Sequence, residues 1–97
     1  MRGRWYRVTD LASGITFQFA MDRQQPDRLH IDVAHSARPD DAIRTFFDPT
    51  ANTHFDADHN RIERWAGGWL IAYLWLDEPE RRHVLVITCL QRGDPPP

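Results

Sequence analysis

Hydrophobic and polar residues alternate along much of this chain, which is the pattern of β-strands. Near the N-terminus, Ile15, Phe17 and Phe19 alternate with other side chains, and residues 5–9 alternate in the same way. A serine–glycine pair separates the two stretches, so the pattern predicts an N-terminal β-hairpin. The segment LHIDV at residues 29–33 also alternates and predicts a short strand or an extended segment.

A helical pattern replaces the alternation at residues 39–48. Pro39 suits the first turn of a helix because its φ angle is already set. The apolar residues that follow lie at helical spacing, with Ile43, Phe46 and Phe47 on one stripe. A helix of about ten residues is marginal in isolation, so it must be held by packing.

Four more strands are predicted after this helix, with acidic residues, proline or glycine at each break. They cover residues 50–56, 60–65, 69–76 and 83–90. The resulting order predicts an α+β domain, in which one short helix packs on a twisted antiparallel sheet with an N-terminal β-hairpin. We expect residues 1–93 to form this single domain and residues 94–97 to be a flexible tail.

The segment WLIAYLWL at residues 69–76 is apolar on both of its faces, which is typical of a central strand covered on both sides. One face is aliphatic, with Leu70, Ala72, Leu74 and Leu76. We expect it to receive the helix. The other face carries Trp69, Ile71, Tyr73 and Trp75. It needs another cover, either the N-terminal hairpin or a second chain.

The amino-acid composition narrows the range of functions that this protein could have. The net charge is −2, and all 12 basic residues are arginines, so nucleic-acid binding would have to depend on a local patch. No apolar run reaches 18 residues and the N-terminus lacks a signal-peptide core, so we expect a cytoplasmic protein without a membrane segment. Cys89 is the single cysteine, and its apolar neighbours predict a small buried side chain.

Two histidines flank the segment that precedes the predicted helix. His30 and His35 are five residues apart, and neither a strand nor a helix at this spacing makes them a chelating pair. A turn at the sequence HSARP could bring them together. The alternative is that both are structural or solvated.

The densest group of possible metal ligands is the sequence HFDADHN. His54, Asp56 and Asp58 would share a face of an extended chain and could suit zinc. A calcium loop is excluded because Arg61 stands where that loop needs glycine. A polar hairpin tip explains the same residues, and we expect neither a metal nor a cofactor.

Basic side chains gather along the last three strands or at their ends. They are Arg61, Arg64, Arg81, Arg82, His83 and Arg92. Arginines with one or two histidines can bind phosphate and transfer protons, which is the minimum equipment for RNA cleavage without a metal. The alternative is a solvated edge on which glutamates pair with these arginines.

From His30 to Arg92 the chain resembles small bacterial toxins of the BrnT and RelE-like kind. The shared features are a histidine before a short helix in HSARPDDAIRTFFDP, a polar hairpin in THFDADHNRIERW, and two long closing strands in GWLIAYLWLD and HVLVITCLQR. The resemblance implies a helix against a twisted antiparallel sheet and RNA cleavage without a metal. It implies reactive roles for His35 and Arg92.

Strand placement adds His30, Arg64 and His83 to His35 and Arg92 as candidate catalytic residues. The predicted function is a toxin-like, metal-independent endoribonuclease of a bacterial toxin–antitoxin system, with RNA as substrate and a cognate antitoxin as partner. The alternative is a non-catalytic protein-binding module on the same scaffold, such as an immunity or assembly protein, with a protein partner or as a homodimer. The slight acidity of the chain favours the alternative, because RelE-like toxins are usually basic.

Overall fold

Eight secondary-structure elements follow one another along residues 4–92, the part of the chain that the computed structural model describes. The first four are strand β1 (Trp5–Asp10), strand β2 (Ile15–Ala20), helix α1 (His30–His35) and helix α2 (Pro39–Phe47). The others are strands β3 (Asn52–Asp56), β4 (Arg61–Ala66), β5 (Trp69–Trp75) and β6 (His83–Gln91). The predicted α+β class is confirmed, while the predicted tail at residues 94–97 lies outside the described residues.

All six strands form one sheet in the order β1-β2-β6-β5-β4-β3. Neighbouring strands are antiparallel except β2 and β6, which run parallel with Phe17 beside Val84 and Phe19 beside Val86. The prediction of a purely antiparallel sheet is therefore wrong at this pair. Parallel neighbours need a long crossover, and here everything from α1 to β5 lies between them, so the local pattern contains no sign of the pairing.

Residues 30–35 form helix α1, so the strand predicted at residues 29–33 is wrong. The extended chain ends at an isolated bridge between Met21 and Leu29, and the Leu29 carbonyl accepts the first helical hydrogen bonds. Ile31 is buried in the core, and Ser36 ends the helix with a φ of 54°. A short alternating stretch with one deeply buried residue fits a brief helix as well as a strand.

Helix α2 forms where the sequence predicts it. Pro39 occupies its start, and the Asp41 carboxylate accepts a hydrogen bond of 3.0 Å from the Arg38 backbone N–H. Its apolar stripe packs on the aromatic face of β5, with the Phe46 ring centroid 5.0 Å from that of Tyr73 and 5.8 Å from that of Trp75. The expected packing on the aliphatic face is therefore wrong, and α2 itself, rather than the hairpin or a second chain, covers the aromatic face.

The register of the sheet explains this choice of face. Tyr73 lies opposite Val86 and Val86 lies beside Phe19, so large apolar side chains of three strands share one side. On the other side, the aliphatic residues of β5 continue into the polar Gln18 and Glu63. The aromatic side therefore offers the larger apolar area for burial.

The opposite side of the sheet, which we call the open face, carries neither of the two helices of residues 4–92. Its centre is aliphatic, with Leu74 opposite Leu85 and Leu70 opposite Leu90. Side chains on its flanks are polar. Neither helix between residues 4 and 92 has the length and apolar character that crossing a membrane would require.

Cys89 is fully buried within this fold, as predicted. It lies opposite Ile71, on the side of the sheet that faces the helices. Burial raises the pKa of its thiol to about 12, so the thiolate needed for nucleophilic chemistry does not form at neutral pH.

Candidate functional site

A depression of about 350 Å³ lies on the open face near the end of the sheet formed by β3 and β4. Its lining residues are His54, Asp56, Arg61, Glu63, Trp65, Leu70 and Arg92. Because β4 contributes three of them, we call it the β4 depression. Two arginines, one histidine and two carboxylates meet there, which makes it the strongest concentration of reactive groups on the open face.

Antiparallel register brings these side chains together. His54 of β3 lies directly opposite Glu63 of β4, and Asp56 lies opposite Arg61. Side chains in such opposite positions have Cβ atoms about 4.5–5.5 Å apart and point to the same face. Alternation along β4 then places Trp65 on the same face as Glu63.

An ion-pair network fixes the acidic side chains. The Arg61 guanidinium donates to Glu63 Oε2 from Nη2 at 3.0 Å and from Nε at 3.2 Å. Arg61 Nε also lies 3.5 Å from Asp56 Oδ2, which is 2.7 Å from His59 Nδ1. Both bonds to Glu63 use one carboxylate oxygen, and Oε1 has no hydrogen-bond partner within residues 4–92. Glu63 therefore keeps an oxygen that can accept a proton beside His54.

Trp65 and Arg92 form the other side of the depression. The Arg92 Cζ atom lies 5.7 Å from the centroid of the Trp65 ring, within the range of a cation–π contact. The Trp65 side chain is buried, and its indole N–H has no hydrogen-bond partner within the described residues. A buried donor without a partner costs about 1–3 kcal/mol.

This arrangement has a definite chemical capability. The Arg92 guanidinium, together with the Nη1 group that Arg61 does not use on Glu63, can donate to a phosphate. Glu63 and His54 can accept and donate protons on either side of it. The depression thus combines anion binding with a carboxylate–imidazole pair.

Of the five predicted catalytic residues, Arg92 lines the β4 depression. His83 also lies on the open face, but it begins β6 while Arg92 follows its end, a separation of about 30 Å along the strand. Arg64 faces the helix side, where its guanidinium donates to Thr53 Oγ1 at 2.8 Å and to the Asp48 carbonyl at 3.0 Å.

The other two predicted residues, His30 and His35, are the first and last residues of α1, on the helix side of the sheet. His30 Nδ1 is 3.2 Å from Asp22 Oδ1, and His35 is exposed at the C-terminal end of the helix. The chain does leave the helix at residues 36–38 of HSARP, but His30 and His35 stand at opposite ends of α1, so this turn does not bring them together. The structure does not bring the five residues together, and their joint catalytic role stays a prediction.

Two residues of the depression, His54 and Glu63, were not chosen from the sequence. The sequence predicts a zinc site or a polar hairpin tip at His54, and for the glutamates of the closing strands it predicts only pairing with arginines. Within residues 4–92, no group of three or more histidine, cysteine or carboxylate side chains is arranged to hold a metal ion. One signal in the sequence could have identified the pair. Arg61, Glu63 and Trp65 alternate along one predicted strand, and a short turn joins that strand to the one that carries His54 and Asp56.

The network predicts a specific titration behaviour for Asp56. The hydrogen bond from His59 holds the pKa of Asp56 below its ordinary value. This carboxylate therefore adds stability at pH values above about 3.9, its unfolded value, and the contribution is lost as the pH falls through the lower folded value. We expect His59→Ala to raise the pKa of Asp56 in a carboxyl NMR titration, whereas His35→Ala leaves it unchanged. An unchanged Asp56 titration in His59→Ala would contradict the contact.

Comparison of the chain with protein-family models, with curated proteins and with solved structures found no match.

Proposed function

We propose that this protein is a metal-independent endoribonuclease and that the β4 depression is its active site. The observation that carries the proposal is the placement of His54 directly opposite Glu63 on an open sheet face, with Arg61 and Arg92 beside them. RNA can be cleaved by its own 2′-hydroxyl if one group removes a proton, a second donates one, and cations neutralise the phosphate. The depression holds each of these groups.

The proposed reaction assigns one role to each side chain. Glu63 Oε1 takes the proton of the 2′-hydroxyl, and the resulting oxygen attacks the adjacent phosphorus. The bond between phosphorus and the 5′-oxygen breaks, and protonated His54 donates a proton to that leaving oxygen. Arg61 and Arg92 stabilise the extra negative charge of the pentavalent phosphorane. The products are a 2′,3′-cyclic phosphate and a free 5′-hydroxyl.

The resemblance to BrnT and RelE-like toxins gives this proposal a biological setting. Characterised proteins of that kind cleave RNA without a metal. The toxin role is proposed here because of the sequence segments that carry the resemblance. In this setting a cognate antitoxin would neutralise the protein by covering the β4 depression.

The proposal is tested by incubating the purified chain with single-stranded RNA, or with DNA of the same sequence, in the presence of EDTA. We expect the RNA to be cut to fragments ending in a 2′,3′-cyclic phosphate and the DNA to stay intact, because DNA lacks the attacking hydroxyl. Cleavage that EDTA abolishes, equal cleavage of DNA, or intact RNA would each overturn the proposal.

A non-catalytic protein-binding module is the second candidate, favoured by exposed aromatic side chains on the helix side. Phe47 is 40 % exposed and Phe55 is 55 % exposed. Expression in a bacterial host separates the two functions. The ribonuclease should slow growth relative to its Glu63→Gln variant, whereas a binding module should leave growth equal in both.

A further inference from the structure

A second polar cluster lies on the open face, on the side of β1 and β2. It consists of Arg7, Gln18 and His83, one residue from each of three adjacent strands. Gln18 is 8 % exposed, and its Oε1 accepts a hydrogen bond of 3.0 Å from Arg7 Nε and lies 3.2 Å from His83 Nε2. We call this group the Arg7 cluster.

The Arg7 cluster is rich in unused donors. Gln18 Oε1 is the acceptor that Arg7 and His83 share, and neither Nη atom of Arg7 has a hydrogen-bond partner within residues 4–92. No carboxylate within that range forms an ion pair with Arg7. The nearby carboxylate of Asp77 is occupied by the backbone N–H groups of Arg82 and His83. An anion is therefore the ligand that this cluster suits.

An exposed tryptophan stands beside the cluster. Trp5 precedes Arg7 by two residues in β1, so it lies on the same face, and it is 46 % exposed. An indole ring next to a guanidinium is the combination with which proteins hold a base and its phosphate in single-stranded nucleic acids. Between this cluster and the β4 depression the open face is uncharged, with Leu74 and Leu85 at its centre.

The spacing of the two sites sets the size of the ligand. Gln18 in β2 and Glu63 in β4 are three strand spacings apart, about 14 Å across the sheet. A dinucleotide with one internal phosphate can occupy only one site, whereas a longer strand can reach both. We infer that the open face binds single-stranded RNA across the sheet, with the scissile phosphate in the β4 depression and a flanking nucleotide on Trp5, Arg7 and His83. This inference rests on the proposed function, whose substrate it specifies.

The test compares a dinucleotide with a single-stranded RNA of twelve nucleotides. Arg7→Ala should weaken binding of the longer RNA about tenfold, as measured by fluorescence anisotropy on the Glu63→Gln background. The slope of log Kd against log salt concentration should fall by about 0.7, the value for one lost phosphate contact on a single strand. Cleavage of the dinucleotide by the wild-type chain tests the catalytic proposal by itself, because a dinucleotide held in the β4 depression cannot reach the Arg7 cluster.

Arg23→Ala is the matched control, because Arg23 is an exposed arginine in the connection between β2 and α1. It should change neither the affinity nor the salt slope. Arg7→Lys keeps the positive charge but loses the paired N–H donors of the planar guanidinium. This variant should preserve most of the salt slope while weakening binding.

The outcomes separate this inference from the proposed function. If the dinucleotide is cleaved and Arg7→Ala binds the longer RNA like wild type, the inference is wrong and the proposed function stands. If no RNA is cleaved but the longer RNA binds and loses affinity in Arg7→Ala, the binding surface stands and the catalytic proposal is wrong. Absence of RNA binding in the wild-type chain overturns the inference.

Discussion

Replacing Glu63 with glutamine is expected to lower the rate of RNA cleavage by about 10²- to 10⁴-fold, the usual contribution of a general base. Glutamine keeps the shape of the side chain and can still accept a hydrogen bond from Arg61, but it cannot take the 2′-hydroxyl proton. His54→Ala should cause a loss of similar size, since it removes the proposed proton donor. Single-turnover cleavage of labelled RNA in EDTA measures both rates.

The two substitutions should be far from additive, because Glu63 and His54 act on the same reaction step. Glu78→Gln is the matched control, since Glu78 is an exposed glutamate whose carboxylate pairs with Arg81. A thermal unfolding curve for each variant separates lost chemistry from lost structure. His35→Ala tests the other assignment: loss of cleavage in that variant, with Glu63→Gln fully active, would move the active site to the side of α1.

Phe46→Ala is expected to destabilise the fold by about 3–5 kcal/mol, the cost of truncating a buried phenylalanine. Phe46 is 8 % exposed, and its ring packs at centroid distances of 5.0–5.8 Å against Phe17, Tyr73 and Trp75 as well as against Phe47. Domains of this size are stable by about 5–15 kcal/mol, so the loss is a large share of the total. Denaturant unfolding followed by tryptophan fluorescence gives the free energy of unfolding directly.

Phe47→Ala provides the control on the same helix. Its ring also contacts Phe17, at a centroid distance of 5.8 Å, but the residue is 40 % exposed. We expect a smaller loss, about 1–2 kcal/mol, because a substantial part of this side chain stays in contact with water in the folded state. Equal losses in the two variants would mean that α2 does not pack on the aromatic face of β5 as described.

Sequence patterns could not predict much of the candidate site. The sequence shows the arginine-rich character of the closing strands, and Arg92, a catalytic candidate from the sequence, lines the open-face depression, while its catalytic role stays a prediction. Glu63 and His54 were passed over because each is an ordinary strand residue until the β3–β4 register places one opposite the other. His30 and His35 drew attention because they are close in sequence, but both belong to α1 on the far side of the sheet.

The sequence by itself determined the elements whose signal is local. The hairpin at β1 and β2, helix α2 and the four closing strands follow from residue periodicity and turn residues, which act over a few neighbours. Only the tertiary structure decided that β6 lies beside β2, that the aromatic side of β5 receives Phe46, and that the aliphatic side stays open. These choices depend on the summed apolar area of strands far apart in the chain, and no stretch of the sequence contains that sum.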